Sequence, residues 1–248
     1  MSERRACRLL GLSRSVRRYQ LRRHPRFGCR KLTVLLRKAG HEWNHKRVRR
    51  VYQALKLQLK TRRRARLRPV APQSLLQPIC PNQAWSADFM SDALSDGRGF
   101  RTFNVLDDYH RQGLRIEIDV SLTAARIIRV LEQLIAVRGR PQRLRVDNGP
   151  EFTSGLFRAW CEAQGIELEF IQPGKPSQNG FIERFNGSYR DGVLNAGCFT
   201  DLNQVREATE KWLKDYNLIR PHEALADHSP IEFLNQRGYA DFSTYAWA

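Results

Sequence analysis

The chain has 248 residues, enough for one sizeable core with one or two small appendages, and its 41% hydrophobic and 27% charged residues are ordinary for a protein that folds in water. Its formal net charge of +18 is unusual and confined: residues 1–70 hold 24 Lys and Arg against Glu3 and Glu42, whereas residues 71–248 hold 19 against 23 acids. No apolar run reaches the roughly 18–20 residues of a membrane span and no signal-peptide core follows Met1, so the expected location is cytoplasmic. The five cysteines are odd in number and scattered, with no CxxC pair, which argues against a disulfide framework or a zinc site.

The basic block comes first along the chain. Residues 2–20 outline a short helix, a turn at Gly11 and a second helix opened by Ser13. A second pair follows: Leu32, Leu35, Leu36 and Ala39 form one stripe, Gly40 breaks it, and Asn44 caps a helix carrying Val48, Val51, Tyr52 and Leu55. The other face of that helix bears Lys46, Arg47, Arg49 and Arg50, a disposition suited to a DNA groove. A block this basic neutralises phosphates, which makes nucleic acid the leading partner ahead of a solvated basic surface or an anionic membrane. Residues 60–68, with Arg62, Arg63 and Arg64, are almost purely basic, and Pro69, Pro72, Pro78 and Pro81 then interrupt regular structure. The expected division is a basic helical region over 1–60, a linker over 61–82, a catalytic core with a C-terminal helix over 83–235, and a tail over 236–248.

Strand signals follow at 84–90, 101–107 and 114–120, then an amphipathic helix from Thr123 with Ala124, Ile128, Leu131 and Ile135 on one stripe. A strand ending at Asp147, a helix from about Thr153 to Gln164 and the strand IELEFI come next. Three consecutive strands followed by alternating helices and strands predict an α/β fold, a mixed sheet with helices on its faces. The segment GFIERFNGSYRDGVLN reads as a helix whose apolar face is Ile182, Phe185, Tyr189 and Val193, with Glu183, Gly187 and Arg190 on a separate stripe. A last long helix spans Asp201 to Asn217.

Three acids stand out. Asp88 lies inside the first core strand, where a carboxylate is costly unless something pairs with it. Asp147 ends its strand, the end at which α/β sheets collect ligands, and Glu183 opens its helix. Singly, each has an ordinary reading as a strand-edge residue, a turn former or a solvated helix residue. Together they are hard oxygen ligands of the kind Mg²⁺ or Mn²⁺ prefers, and metal resolves their mutual repulsion. Asp107 and Asp108, at a neighbouring strand end, read as turn residues or as a layer behind the site.

The segments WSADFMSD, FNVLDDYHR, VDNGPEF, QPGKPSQNGFIERFNGSYRDGVLN, YNLIRPHEAL and SPIEF closely resemble the second-frame (orfB-type) transposases of the IS-three group of bacterial insertion sequences, which share the retroviral-integrase core. Thirty-five residues separate Asp147 from Glu183, and Arg190 stands seven past Glu183, as in that D,D,E superfamily. FGCRKLTVLLRKAGHEWNHKRVRRVY resembles the helix-turn-helix module that precedes the core. The resemblance implies a ribonuclease-H-like fold and divalent-metal-dependent cleavage and strand transfer at element ends. It implies Asp88, Asp147 and Glu183 as ligands of Mg²⁺ or Mn²⁺, two ions in number. Asn148 and Glu151 would then line the site, Arg190 and Lys175 would contact DNA, and 175–180 would form a flap. Double-stranded DNA is the implied partner, bound by a homo-multimer, with an upstream-frame product as partner or fusion. Departures are the short stretch between Tyr19 and His24 and the Gly192-Val193 pair where the group has Glu-Cys. Two other readings stand beside this one: a nuclease of the same fold that does not join strands, and a non-catalytic or decayed DNA-binding protein.

Overall fold

The computed structural model describes residues 27–58, 77–172 and 179–239, and the chain divides into two compact units, Met1–Arg68 and Pro69–Ala248. In the first unit, helix α1 (Cys29–Lys38) ends at Gly40, whose φ of +85° turns the chain, and helix α2 (His45–Ala54) begins where Asn44 Oδ1 accepts the Lys46 N–H at 2.9 Å. Val48, Val51, Tyr52 and Leu55 are buried, while Leu32, Leu35 and Leu36 of α1 are half-buried. Lys46, Arg49 and Arg50 are exposed, and the Arg47 guanidinium lies over the Trp43 ring at 5.1 Å. The helix pair expected within 2–20 and the cations Arg62, Arg63 and Arg64 lie outside the described residues.

The second unit is built on strands β1 (Ala84–Ala93), β2 (Gly99–Asp107), β3 (Gly113–Asp119), β4 (Arg143–Val146) and β5 (Glu167–Phe170), in the order β3-β2-β1-β4-β5. β1 and β2 pair antiparallel, as do β2 and β3; β4 joins β1 in parallel and β5 joins β4 in parallel, the expected mixed sheet. Side chains alternate across the sheet, so each strand supplies two faces. On one face Trp85, Ala87, Phe103, Val105, Leu144 and Val146 pack against helices α3 (Ala124–Arg138), α4 (Pro150–Thr153) and α5 (Gly155–Gln164). Within α3 the stripe is centred on Ile127 and Leu131, with Ala124 and Ile135 only partly buried. On the other face Met90, Leu106, Ile116 and Ile118 meet helices α6 (Gly180–Tyr189) and α7 (Leu202–Leu218), and helix α8 (Pro230–Gln236) closes the unit.

Two elements differ from the sequence reading for local reasons. The helix expected from about Thr153 to Gln164 forms as α5 but starts at Gly155, with the short unexpected α4 before it, because Ser154 takes an extended backbone (ψ 143°) and its Oγ accepts the Phe157 N–H at 3.3 Å as the N-cap. Past Tyr189 the chain widens into a π turn, Arg190–Leu194, closed by the Asn195 N–H on the Arg190 carbonyl at 2.7 Å. Gly192 in that turn has no Cβ, and Trp212 of α7 occupies the space one would need.

Asp107 and Asp108 are turn residues, both buried at the end of β2. Asp107 accepts the Asn82 and Tyr109 N–H groups at 2.8 Å each, with His110 Nδ1 at 3.3 Å. Asp108 accepts the Ser86 hydroxyl and the Arg145 guanidinium at 2.9 Å, and Arg145 reaches on to Glu169 at 3.3 Å. Burial pushes the Asp108 carboxyl up to about 6 despite these partners. A raised folded-state value makes the charged form the costly one, so this group's contribution falls as pH rises from the unfolded value near 3.8 through 6. Arg145→Met strands that carboxylate, and we expect a loss of about 3–5 kcal/mol at pH 8. At pH 5, where Asp108 takes a proton, the loss is smaller; urea unfolding at the two pH values measures the difference.

Candidate active site

Asp88 occupies the middle of β1, opposite Asn104 of β2, on the face covered by α6. This central strand has helices on both faces, so its alternation places Ser86, Asp88 and Met90 under α6 while Trp85, Ala87 and Phe89 enter the other core. Asp88 Oδ1 accepts the Phe89 N–H at 2.8 Å and Oδ2 accepts the Asn186 side-chain amide at 2.8 Å. Asn186 in turn accepts from Asn104 Nδ2 at 2.7 Å, so a buried amide ladder joins β2, α6 and the carboxylate. The Asp88 carboxyl is pushed up to about 6, first by burial and then by the negative charges of Asp147 and Glu183, against the pull of the Phe89 and Asn186 donors.

Asp147 follows the last residue of β4. In the parallel pairing Ser86 lies opposite Arg145, so Asp147 is level with Asp88 two residues further on. Its Oδ1 accepts the Gly149 N–H at 2.9 Å, a tight turn that a side chain would obstruct. A Cβ on Gly149 would stand 2.9 Å from Asp147 Oδ1 and 3.5 Å from Glu151 Oε2. Glu183 lies in the first turn of α6, and its charge is felt at Asp88.

The other expected residues divide. Glu151 stands beside Asp147: its Oε1 pairs with Arg101, while Oε2 is buried without a hydrogen-bond partner. Asn148 is exposed and its amide donates to the Ile171 carbonyl at 3.0 Å, bracing the loop after β4 against the end of β5. Arg190 lies along the last part of β1, donating to the Ser91 carbonyl at 3.1 Å with Asp92 at 3.7 Å. Lys175 lies outside the described residues.

Sequence reasoning missed Asn186, Asn104 and Arg101. Asn186 stands three residues after Glu183 on the same helix, a spacing that could have suggested it, but its partners Asp88 and Asn104 are distant in sequence. Arg101 stacks over Phe89 at 4.4 Å and holds Glu151, a pairing across 50 residues that no local pattern encodes.

Chemically, the three acids are hard anionic oxygens, Asp88 and Asp147 half-buried and Glu183 exposed, with an orphaned Glu151 oxygen beside the Gly149 cradle; the chemistry of this donor set fits a small divalent cation. Among the described residues no three His, Cys, Asp or Glu side chains are grouped closely enough to hold a metal ion as they stand. Repulsion between bare carboxylates opposes closer approach.

Comparison with known proteins follows the same division of the chain. Residues 78–176 and 164–230 match two integrase core domain families, and residues 4–65 match an HTH-like domain. The chain is 41% identical, over 94% of its length and 72% of the relative's, to an uncharacterized 39.2 kDa protein of insertion element IS476 from Xanthomonas euvesicatoria. It is 40% identical to an uncharacterized 31.7 kDa protein of insertion element IS407 from Burkholderia multivorans, over 97% and 94%. It is 26% identical, over 83% and 80%, to a candidate transposase for insertion sequence element IS986/IS6110 of Mycobacterium tuberculosis. Among solved structures, one chain of the simian T-cell lymphotropic virus intasome with a PP2A regulatory subunit aligns at TM-score 0.58 and 18% identity, covering 79% of this chain and 68% of that one. The HTLV-2 integrase catalytic core in complex with magnesium aligns at 0.51 and 19%, covering 62% and 97%. Those two likenesses concern the ribonuclease-H-like fold. The chain belongs to the integrase-core transposases of bacterial insertion elements, and it is a DNA transposase of the polynucleotidyl-transferase class.

The amide ladder gives a direct test. Asn186→Leu removes a donor that holds the Asp88 carboxylate, so the Asp88 carboxyl should titrate above its present value of about 6. Carboxyl-carbon NMR of Asp88 in the metal-free protein reads the shift.

Proposed function

We propose that the chain cleaves DNA at the ends of an insertion element and joins the freed 3′-hydroxyl to a second phosphodiester, using Asp88, Asp147 and Glu183 as ligands for divalent metal, Mg²⁺ or Mn²⁺, at two ions. The observation that carries the reading is geometric: the β1–β4 register sets Asp147 level with Asp88, and the helix that carries Glu183 is tied to Asp88 by the Asn186 amide at 2.8 Å. The magnesium named with the HTLV-2 integrase core supports the choice of ion.

Bound there, divalent ions stabilise the attacking and leaving oxygens of an in-line phosphoryl displacement. The chain's own residues do the rest. Asn186 orients the Asp88 carboxylate, and Asn148 fixes the loop that presents Asp147. Glu151, steadied by Arg101, directs its remaining oxygen toward the Asp147 side. Arg190 exchanges its pairing with Asp92 for a DNA phosphate, a substitution of one anion for another. In the N-terminal unit Lys46, Arg47, Arg49 and Arg50 of α2 track the duplex backbone, joined by Arg62, Arg63 and Arg64, with Lys175 on the catalytic side. Synapsis of two ends requires more than one copy of the chain, and the intasome named among the structural neighbours is consistent with that.

Strand transfer on a duplex bearing the element's terminal repeat tests the chemistry. Asp147→Asn and Glu183→Gln should each lower Mg²⁺-dependent joining by at least about 100-fold, the loss of several kcal/mol of transition-state stabilisation. Each should also abolish the Mg²⁺-induced rise in Tm. Full activity in either variant removes this mechanism, and hydrolysed ends without joined products mark a nuclease instead.

The α2 cations make a separate prediction. Replacing Arg49 and Arg50 by Ala should reduce the slope of log affinity against log salt by about 2, roughly 0.9 for each phosphate no longer neutralised. Titration of duplex binding over a range of salt concentrations measures it, and an unchanged slope places those side chains off the DNA.

A further inference from the structure

The connection between β2 and β3 is a five-residue turn, yet it is buried almost throughout: Asp108, His110, Arg111 and Gln112 are 0, 2, 8 and 1% exposed. Turns normally run over the surface, and burying an arginine there is costly. Arg111 also takes a φ of +60°, uncommon for a bulky side chain and a form of stored strain. What this conformation accomplishes is specific. The guanidinium donates to the Asp108 carbonyl and sits over the Phe181 ring, its central carbon 3.4 Å from the ring centroid.

Two residues further along the turn, Gly113 meets the same helix. A Cβ on Gly113 would stand 2.6 Å from the Phe185 ring and 2.5 Å from Leu213, so the absence of a side chain is what lets Phe185 seat. Gly113 is itself fixed: its N–H donates to Asn217 Oδ1 at 3.0 Å and its carbonyl accepts from Asn217 Nδ2 at 2.9 Å. Phe181 and Phe185 are one helical turn apart on a common face of α6, and Glu183 lies between them in sequence, rotated about 200° from Phe181 on the helical wheel. The β2–β3 turn therefore grips the helix at two points that bracket the acid.

We propose that this turn is a clamp that sets the rotation of α6 about its own axis, and that Arg111 is a positioning residue acting through Phe181 to direct Glu183 into the active site. The inference rests on the reading of Glu183 as a metal ligand. A helix touched at one level can roll, and a roll of about 10° carries a side-chain tip some 5–6 Å from the axis through about 1 Å. Misplacement on that scale costs on the order of 100-fold in rate. Two contacts one turn apart, one a guanidinium over a ring and one a ring against a bare backbone, resist that roll.

The test uses the full chain with Arg111→Met, which keeps bulk, Arg111→Lys, which keeps charge, Phe181→Leu, and the Arg111→Met/Phe181→Leu double variant. Arg111→Met and Phe181→Leu should each lower kcat for strand transfer roughly 10- to 100-fold while KM for DNA stays within about twofold. The double variant should lose no more than the worse single one, because both changes interrupt one path. Amide hydrogen exchange over residues 180–186 should quicken about tenfold in both, with the amides of β2 unchanged. Arg111→Lys, which cannot stack as a plane, should fall on the same side as Arg111→Met. Unchanged kcat in Arg111→Met, unchanged exchange over 180–186, or equal acceleration throughout β2 overturns the clamp; the last result makes Arg111 a general support of the fold. Glu183→Gln in the same assay separates the two readings: full activity there removes the catalytic role, while the exchange pattern still judges the clamp.

Discussion

The structure is organised around the cost of keeping a carboxylate on the inner face of a central strand. Asp88 sits where an apolar side chain would serve stability better, and burial drives its carboxyl toward the protonated form. Two donors offset part of that cost, and one of them, Asn186, belongs to α6. The helix is thus tied to the acid by the same bond that keeps the acid charged. Asp147 and Glu183 add repulsion, so the free energy of the site is lowest when positive charge is supplied from outside. Such an arrangement gives up stability in exchange for negative charge held in a place of low dielectric.

That trade explains why the two faces of the sheet differ. The face against α3 and α5 is almost wholly apolar, with Phe89, Phe103 and Phe152 ring against ring, and it sets the positions of β1 and β4 without polar compromise. The face against α6 carries Asn104, Asn186 and Asp88 among its apolar side chains. Polar groups inside a core are costly unless partnered, and the ladder pairs the Asp88 carboxylate and the Asn186 amide while Asn104 Oδ1 stays without a hydrogen bond. At the other end of β1 the Asp107–Asp108 turn is satisfied in the same manner, through Ser86, Arg145 and the Asn82 backbone. Rigidity at both ends leaves the strand little freedom to shift Asp88 relative to Asp147.

Much of this was legible in the residues themselves. β-branched and apolar enrichment between turn residues located β1 to β3, the 3.6-residue stripe located α6 and α7, and Asp88, Asp147 and Glu183 were distinguished by where they fell on those elements. Boundaries were less legible: β1 extends three residues past the expected 90, and Ser154 sets the start of α5 two residues after the expected Thr153. The supporting residues were not legible, because their meaning lies in distant partners. Asn104 finds Asn186 across 82 residues, Asn186 finds Asp88 across 98, and Gly113 finds Asn217 across 104. The π turn after Tyr189 has the same origin: nothing in RDGVL demands a widened helix, but Trp212 packed against Gly192 leaves that path open. The Gly192-Val193 departure from the family pattern thus has a physical counterpart in α7.

Charge is partitioned on the same logic. The catalytic unit is rich in arginine, yet many of its surface arginines already face acids: Arg101 with Glu151, Arg190 with Asp92, Arg126 with Glu117 and Asp119, and Arg206 with Asp119. Exposed pairs of this kind stabilise a protein by only about 0–1 kcal/mol. They hold the side chains near the surface they occupy while leaving them cheap to redirect, so a phosphate can displace a carboxylate without destabilising the fold. The residual charge of residues 71–248, 19 cations against 23 acids, gives this region little long-range attraction for DNA. Residues 1–70, with 24 cations against two acids, carry the positive field that draws polyanions. Charge and the three acids are thereby separated along one chain: the excess of cations lies in residues 1–70, and Asp88, Asp147 and Glu183 lie in the slightly acidic remainder.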